Sequence, residues 1–262
     1  MRAHKTFITF AVAFSALIAS AVADADVSLE DCFRPEPGCA RLGVFGEIKS
    51  ADVQETSEII QLIRAMRRSM RKDQAASIQV LLDSQGGNVT AAIEIGRLLR
   101  KARATAIVTA PSQCLSACVF VLAGAVARYP AGPVGIHRPY STETSARTFD
   151  QVQQQYSANE RAAKQFLADM NLPPSLFEAM VRVPPEKVSV LSVEEVKTFG
   201  LLGLDPVEQE IRDAAEARRL GLTKRELLKR KARVEEECDS LLSGPGNAYS
   251  NCRDKVMRGG VR

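Results

Sequence analysis

Gln79-Val-Leu-Leu-Asp-Ser-Gln-Gly-Gly87 is followed along the chain by Cys114-Leu-Ser-Ala-Cys118 and by Gly135-Ile-His-Arg-Pro139, and these three blocks decide the fold. The first block reads as a buried strand that ends in a Gly-Gly turn, and the second leads into a nearly all-apolar helix. The third closes a short strand with a histidine. A glycine pair, a serine and a histidine therefore stand at successive element ends. Backbone donors, a hydroxyl and an imidazole in this arrangement favour the chemistry of a serine hydrolase.

Strands and helices alternate around these blocks. Asn88 and Ser192 are the expected N-caps of two helices, and we predict a turn at 84–87. Alternating elements of this length predict an α/β fold in which helices cover a parallel sheet. The predicted strands are 41–48, 77–83, 105–110 and 133–136, and the predicted helices are 55–71, 89–102, 115–126, 151–170, 173–181 and 193–199.

The first 23 residues have the composition of a secretory signal peptide. A basic start precedes an uncharged apolar run from Phe7 to Ala23, and Ala21-Val-Ala23 fits a small-x-small cleavage site. The run is shorter than the ~20 residues that a spanning helix needs, so cleavage is favoured over a retained membrane anchor. We therefore expect a periplasmic or secreted protein that starts at Asp24 and has no stable membrane span.

Length and charge bound the organisation and the partners. The chain has 262 residues and a formal net charge of +4, of which Arg2 and Lys5 would leave with the signal. Acidic residues interleave with the basic ones in the C-terminal helix, so we expect no nucleic-acid partner. The length fits one large domain, or one domain with an appendage. We predict a signal peptide at 1–23, a Cys-stapled loop at 24–40, an α/β domain at 41–207 and a charged helical extension at 208–262.

Six cysteines, an even number, fit disulfide bonding in an exported chain. A regular helix holds i and i+4 side chains ~5–6 Å apart, so a bridge between Cys114 and Cys118 requires Cys114 to lie outside the helix. A metal site made by these two cysteines and His137 would lack a fourth ligand, and we expect neither a metal nor another cofactor. The simplest of the fifteen pairings is Cys32–Cys39, Cys114–Cys118 and Cys238–Cys252.

Five blocks in order resemble the Clp protease proteolytic subunit and the wider Clp/crotonase superfamily. Gln85 replaces the proline of the family's Ser-Pro-Gly-Gly block. The resemblance implies an α/β Clp/crotonase-like fold of stacked β-β-α units with a helical C-terminal extension, and the activity of a peptidase-like serine hydrolase. The blocks are Arg41-Leu-Gly-Val-Phe-Gly-Glu-Ile48, Val80-Leu-Leu-Asp-Ser-Gln-Gly-Gly87, Cys114-Leu-Ser-Ala-Cys-Val-Phe-Val-Leu-Ala-Gly124, Val134-Gly-Ile-His-Arg-Pro139 and Leu191-Ser-Val-Glu-Glu-Val-Lys-Thr-Phe-Gly-Leu-Leu202.

The resemblance also implies roles for single residues. It makes Ser116 the nucleophile and His137 the general base. It makes Gly86, Gly87 and the amide near Ala117 the oxyanion donors. His137 is also the only histidine outside the first 23 residues. The partner implied is a peptide or protein substrate, and a homo-oligomer is a second expectation.

The acid of the predicted site stays open. Val188 stands where the family has its aspartate, three residues before the Leu-Ser block, and Glu186 is the nearest carboxylate. An orienting carboxylate fixes the histidine tautomer, and its loss in a serine protease triad costs ~10⁴ in rate. Glu186 is our first choice. The alternatives are Asp150, Glu143 and a backbone carbonyl.

Two functions follow from the sequence. The first is an exported serine hydrolase, and the second is a catalytically inactive scaffold or binding protein of the periplasm, because Val188 supplies no acid. A Ser-Lys dyad with Lys164 is disfavoured, since a lysine on a polar helix is usually solvated. A coenzyme A enzyme is disfavoured because acyl-CoA substrates are cytoplasmic. A Cys114–Cys118 bridge would clamp the serine loop under either function.

Overall fold

The structure is a computed structural model that describes residues 26–30, 41–68, 78–140, 148–243 and 246–259. The predicted signal peptide, the predicted Cys32–Cys39 pair and Glu143 lie outside these ranges. None of the helices in the described part of the chain is both long and apolar enough to cross a bilayer.

The strands are β1 (Asp26–Glu30), β2 (Arg41–Ile48), β3 (Gln79–Gly87), β4 (Thr105–Val108), β5 (Cys114–Leu115), β6 (Ala127–Pro130), β7 (Val134–Ile136), β8 (Ser189–Val190) and β9 (Gly203–Leu204). The helices are α1 (Asp52–Arg68), α2 (Val89–Ala102), α3 (Cys118–Gly124), α4 (Phe149–Asp169), α5 (Pro174–Arg182), α6 (Val193–Thr198), α7 (Pro206–Leu220), α8 (Lys224–Cys238) and α9 (Ala248–Met257), with a 3-10 helix at Asp239–Leu241.

β3 is the centre of the sheet because three strands pair with it. β2 lies along one edge, and the other edge pairs with β4 at residues 79–81 and with β5 at Ser84. The sheet continues from β4 to β6 and β9, and from β5 to β7 and β8. The inner pairings are parallel, which confirms the predicted α/β class, and antiparallel pairs stand at the edges. Since β5 and β7 are parallel neighbours, Ser116 and His137 follow two strands whose carboxyl ends meet at one edge.

The Gly-Gly segment is strand rather than turn, which corrects the prediction for 84–87. β3 runs on to Gly87, and Gly86 and Gly87 pair with Glu47 and Ile48 of β2. β2 keeps this pairing through an irregularity at Gly46, whose φ is +71°. Such a bulge shifts the register by one residue, and glycine accepts the positive φ that it needs. Gly86 and Gly87 are therefore the last residues of the central strand, at the carboxyl-terminal end of the sheet.

Part of the segment 24–40 that we predicted as a loop is also a strand. β1 pairs antiparallel with β2 over its full length, from Asp26 opposite Phe45 to Glu30 opposite Arg41. Val27 is buried in the main core, and Leu29 is exposed. One apolar side chain facing the core suits an edge strand, which the prolines and cysteines farther along the segment obscured.

Helices α2 and α3 cross in direct backbone contact. A Cβ built on Gly124 would lie 2.3 Å from the Cα of Gly96, so neither position has room for a side chain. All residues of α3 are buried, as the apolar sequence predicts. The helix begins at Cys118 rather than at residue 115, because Cys114 and Leu115 pair with β7 as a strand. Asn88 caps α2 as predicted, with its side-chain oxygen accepting from the Ala91 amide.

The C-terminal extension has a small core of its own. The Cys238–Cys252 disulfide forms as predicted, and it joins the end of α8 to α9. Buried residues of this core come from three helices, which explains how a strongly charged segment stays folded against itself. They are Ala217 of α7, Leu227, Val234 and Cys238 of α8, and Val256 and Met257 of α9.

A buried ionic network closes the β4–β6–β9 branch. The guanidinium of Arg128, which is 1% exposed, donates to the carbonyls of Gly200 (2.7 Å) and Ala123 (2.8 Å). Asp205 lies 3.9 Å from Arg128 and 2.9 Å from Arg100, so one buried carboxylate faces two cations. Burial and, to a smaller extent, the neighbouring charge of Arg100 lower the pKa of Arg128 to about 10, against the opposing effect of Asp205. The network fastens α2, β6 and the start of α7.

Asp205 also caps α7 by accepting from the amides of Val207 and Glu208. Burial raises the pKa of its carboxyl, but the hydrogen bonds from Asn171 and Arg100 outweigh that effect and hold the pKa below its ordinary value. A pKa lowered on folding means that Asp205 stabilises the fold above the unfolded pKa. That stabilisation is lost as the pH falls through the folded pKa.

We expect Asp205→Ala to lower the free energy of unfolding by ~3–5 kcal/mol at neutral pH, because it leaves the buried charge of Arg128 without its counter-ion. Urea denaturation followed by circular dichroism measures the change. Glu210→Ala is the control, since it breaks the exposed pair between Glu210 and Lys224 and should cost about 0–1 kcal/mol. Equal losses in the two variants would contradict the network's role.

Candidate active site

Ser116 has a strained backbone at the junction of β5 and α3. Its φ is +55°, in the left-handed region. Among the described residues, Arg103 and Asn171 are the other non-glycine residues with positive φ, and both follow the ends of helices, where a left-handed residue is common. Ser116 instead precedes a helix, after a two-residue strand. A serine held this way at a strand-to-helix junction is typical of nucleophiles in hydrolases.

The Cys114–Cys118 disulfide forms as predicted, with Cα atoms 5.2 Å apart. Cys114 lies in β5 and Cys118 is the first residue of α3, so the bridge meets the requirement that Cys114 lie outside the helix. Both sulfurs are bonded to each other, which removes the metal site considered for these two cysteines and His137. The bridge therefore encloses Leu115, Ser116 and Ala117.

Gly86 lies against the backbone around Ser116. A Cβ built on Gly86 would lie 2.6 Å from the Cβ of Ser116 and 3.0 Å from the amide nitrogen of Ala117. The amide of Gly86 donates to the Ser84 hydroxyl, whose own proton goes to the Gly46 carbonyl. Because Gly86 has no side chain, β3 can approach the serine turn (residues 115–117) this closely.

His137 is 9% exposed and stands directly after β7. Its Nδ1 lies 2.9 Å from the carbonyl oxygen of Arg138. That residue is itself anchored, because its amide donates to the Val183 carbonyl and its guanidinium donates to the Val181 carbonyl at the end of α5. The ring of Tyr140 packs beside the imidazole, with centroids 5.6 Å apart.

A pocket of about 690 Å³ brings most of the predicted site together. The described residues Ser116, His137, Gly86, Gly87 and Glu186 all line it. Ala117 is buried directly behind Ser116. Two predicted alternatives lie elsewhere, since Asp150 and Lys164 are exposed on α4 and do not line the pocket. The other pocket walls come from Glu47, Ile48, Lys49 and Ser50, from Gln85 and Asn88 to Thr90, from Pro139 and Tyr140, from Gln155 and Asn159, and from Pro185 and Val188.

Comparison with known proteins identifies the family of this chain. The family model of the Clp protease matches residues 48–207, which is more than half of the chain. The chain belongs to the Clp protease family. The matched range includes β3, both ends of the disulfide at Ser116 and the whole pocket apart from Glu47. Among curated proteins, no match to the chain was found.

Solved structures similar to this Clp protease family member include two mutants. A ClpP1 point mutant from Listeria monocytogenes has 18% sequence identity and a TM-score of 0.47, with 62% of this chain and 88% of that chain covered. A mutant of the 1510-N membrane-bound stomatin-specific protease has 17% identity and a TM-score of 0.43, with 61% and 75% covered.

The residue at the position of the family's acid is an exposed valine rather than a carboxylate. Val188 lines the pocket beside β7, where a Cβ on Gly135 would lie 2.5 Å from its Cγ1. Glu186 lines the same pocket and is exposed. From the sequence we named a backbone carbonyl as one alternative partner of His137 but assigned it to no residue, so the carbonyl of Arg138 was missed. The one local signal was the side chain of Arg138. A long cation directly after His137, at an otherwise apolar strand end, indicates a residue that is anchored by its own hydrogen bonds.

We expect Gly86→Ala to destabilise the protein more than Gly203→Ala does, by ~1–3 kcal/mol in urea denaturation. Both glycines have φ near +100°, so both substitutions carry similar backbone strain. A Cβ at Gly203 meets nothing within 4 Å, whereas one at Gly86 collides with Ser116. The difference isolates the contact with the serine turn, and similar losses would argue against it.

Proposed function

We propose that this chain is an exported serine peptidase in which Ser116 is the nucleophile and His137 is the general base. The observation that carries the proposal is the left-handed backbone of Ser116, at a pocket that His137 also lines. Strain of this kind persists only where the surrounding structure enforces it, and it is concentrated at functional sites. No other histidine competes with His137 as the base, because the only other one in the sequence is His4 in the predicted signal.

The hydrogen bond to Arg138 supports a base that works through Nε2. A carbonyl oxygen only accepts hydrogen bonds, so the proton of the neutral ring belongs on Nδ1. Nε2 then carries the lone pair. In the proposed reaction Ser116 Oγ attacks the peptide carbonyl while its proton passes to Nε2, and the imidazolium returns that proton to the leaving amine. Water repeats the sequence to release the acyl group.

Backbone amides would stabilise the oxyanion that forms during the attack. The amide of Gly86 already donates to Ser84, which leaves the amides of Gly87 and Ala117 as the proposed donors. Gly87 is exposed at the pocket, and the nitrogen of Ala117 faces Gly86 next to the nucleophile. A donor on each side of Ser116 suits the growing negative charge on the carbonyl oxygen.

A peptide is the substrate class that the exposed strand β8, next to the pocket, favours. β8 follows Val188 out of the pocket, and within the described sheet its pairing partner is β7 alone. An extended peptide can add to such an exposed edge through backbone hydrogen bonds, without any requirement on its sequence. Ser189 and Val190 are both exposed on this strand, so the edge is accessible.

We expect a fluorophosphonate probe to label the wild-type protein on Ser116. Ser116→Ala should abolish labelling, and His137→Gln should slow it by ~10²–10⁴, because the probe also needs an activated hydroxyl. In-gel fluorescence and peptide mass spectrometry measure the rate and the site. Circular dichroism checks that each variant is folded. Equal labelling of Ser116→Ala and wild type would reject the nucleophile.

Glu186→Gln is the matched control, because it removes the pocket carboxylate and keeps the size of the side chain. If the Arg138 carbonyl orients the imidazole, labelling stays within about threefold of wild type. A loss that approaches the ~10⁴ seen on removing a triad aspartate would instead make Glu186 the acid.

A folded but catalytically inactive scaffold is the second candidate, favoured because Val188 supplies no carboxylate where the family has an acid. It predicts that the wild-type protein takes no label and still forms a defined oligomer or partner complex. Sedimentation velocity on the same unlabelled sample separates this outcome from simple misfolding.

Export is part of the proposal. The apolar run before Ala23 supports it, as do two disulfides within the described residues, since such bonds persist in oxidising compartments. We expect the protein recovered from the periplasm or medium to start at Asp24, with its cysteines unreactive toward iodoacetamide. Intact-protein mass spectrometry measures both properties. A cytoplasmic protein that retains Met1 would contradict export.

A further inference from the structure

We propose that the Cys114–Cys118 disulfide is a positioning device that holds Ser116 in its left-handed conformation and so presents the hydroxyl to the pocket. The inference rests on the proposed role of Ser116. It goes further in assigning part of the reactivity to a covalent bond whose atoms touch no substrate.

The bridge joins two elements that are fixed independently of each other. On one side, Cys114 pairs with Ser84 of β3 and with Val134 of β7, and its amide donates to the Pro133 carbonyl. On the other side, Cys118 begins the wholly buried helix α3. Both cysteines have 0% exposure. The ends of the serine turn are therefore held in place by packing and joined by the bond.

Few backbone contacts hold Ser116 between these ends. Its amide donates to the Gly135 carbonyl, and its carbonyl accepts from the Val119 amide. A left-handed serine is intrinsically unfavourable, because its Cβ crowds the following carbonyl. Without the covalent closure, the three enclosed residues gain conformations in which Ser116 leaves that region and turns its hydroxyl from the pocket. The disulfide removes those conformations.

A merely stabilising disulfide would behave differently, and the chain supplies the comparison. Cys238–Cys252 spans 14 positions in the C-terminal core, whereas Cys114–Cys118 spans 4. In the chain-entropy account, the longer loop stabilises more. Removal of the Cys238–Cys252 bridge should therefore lower the stability of the fold more. Removal of the Cys114–Cys118 bridge should lower the reactivity of Ser116 more.

The test compares Cys114→Ala/Cys118→Ala with the control Cys238→Ala/Cys252→Ala. We expect the first variant to lower the second-order rate constant of fluorophosphonate labelling by about 10- to 100-fold, the range that small displacements of reacting groups produce. The control should stay within about twofold of wild type. Thermal unfolding should show at least as large a fall in midpoint for the control. Labelling by the first variant at the wild-type rate overturns the proposal.

A second variant covers the case in which paired alanines leave too much empty volume at fully buried positions. Cys114→Val with Cys118→Ala refills part of that volume without a bond. Recovery of the wild-type unfolding midpoint with slow labelling supports positioning by the bond, and recovery of both properties overturns it.

A conformational readout keeps the inference separate from the proposed function. The ¹³Cα and ¹³Cβ chemical shifts of Ser116 report whether its backbone is left-handed. We expect them to move in the Cys114→Ala/Cys118→Ala variant and to stay unchanged in the C-terminal control. If the wild-type protein takes no label, the peptidase proposal fails and these shifts still decide the positioning role. Unchanged shifts in the first variant overturn it.

Discussion

The pocket depends on a backbone contact that leaves no room for a side chain. β3 is the central strand, with which three other strands pair, and its last residues lie directly against the turn that carries Ser116. The irregularity at Gly46 shifts the register by one residue, and β2 stays paired with this end of β3. The hydroxyl of Ser84 links the two, since it donates to Gly46 and accepts from Gly86. The position of Ser116 is thus set in part by strand pairing, whose many hydrogen bonds resist displacement better than a surface loop would.

The opposite branch of the sheet is held by charge rather than by close packing of glycines. Arg128, Arg100 and Asp205 form a buried network in which one carboxylate serves two guanidinium groups. Such a network is costly to desolvate and costlier to break, so it specifies one arrangement of α2, β6 and α7. The α2 helix belongs to both branches, because at Gly96 it also contacts α3, the helix that follows Ser116. A displacement of this helix would therefore reach the pocket.

Local signals in the sequence predicted the elements that local forces determine. The apolar spacing and the Asn88 cap defined α2, and the closeness of Cys238 and Cys252 in the sequence predicted their bridge. The glycine pair at 86–87 misled, because its extended conformation comes from pairing with β2, which is distant in sequence. The burial of Arg128 was missed for a similar reason, since its counter-ion lies in a segment that no local pattern connects to it. Carbonyl groups are present at every residue and carry no signature, so the partner of His137 could be named only as a class.

A neutral partner for the imidazole changes which part of the site must supply reactivity. A carbonyl fixes the tautomer of His137, as an aspartate would, but it contributes no full negative charge to stabilise the imidazolium. Electrostatic assistance to the base is therefore smaller than in a complete triad. Three features of this chain constrain the position of Ser116: its left-handed backbone, the Cys114–Cys118 disulfide that spans it and the close contact with Gly86. Fixed geometry lowers a barrier by removing the entropy of alignment, and that contribution does not require a charged acid. A hydrolase built this way would tolerate the loss of a nearby carboxylate better than the loss of a bond that holds its nucleophile.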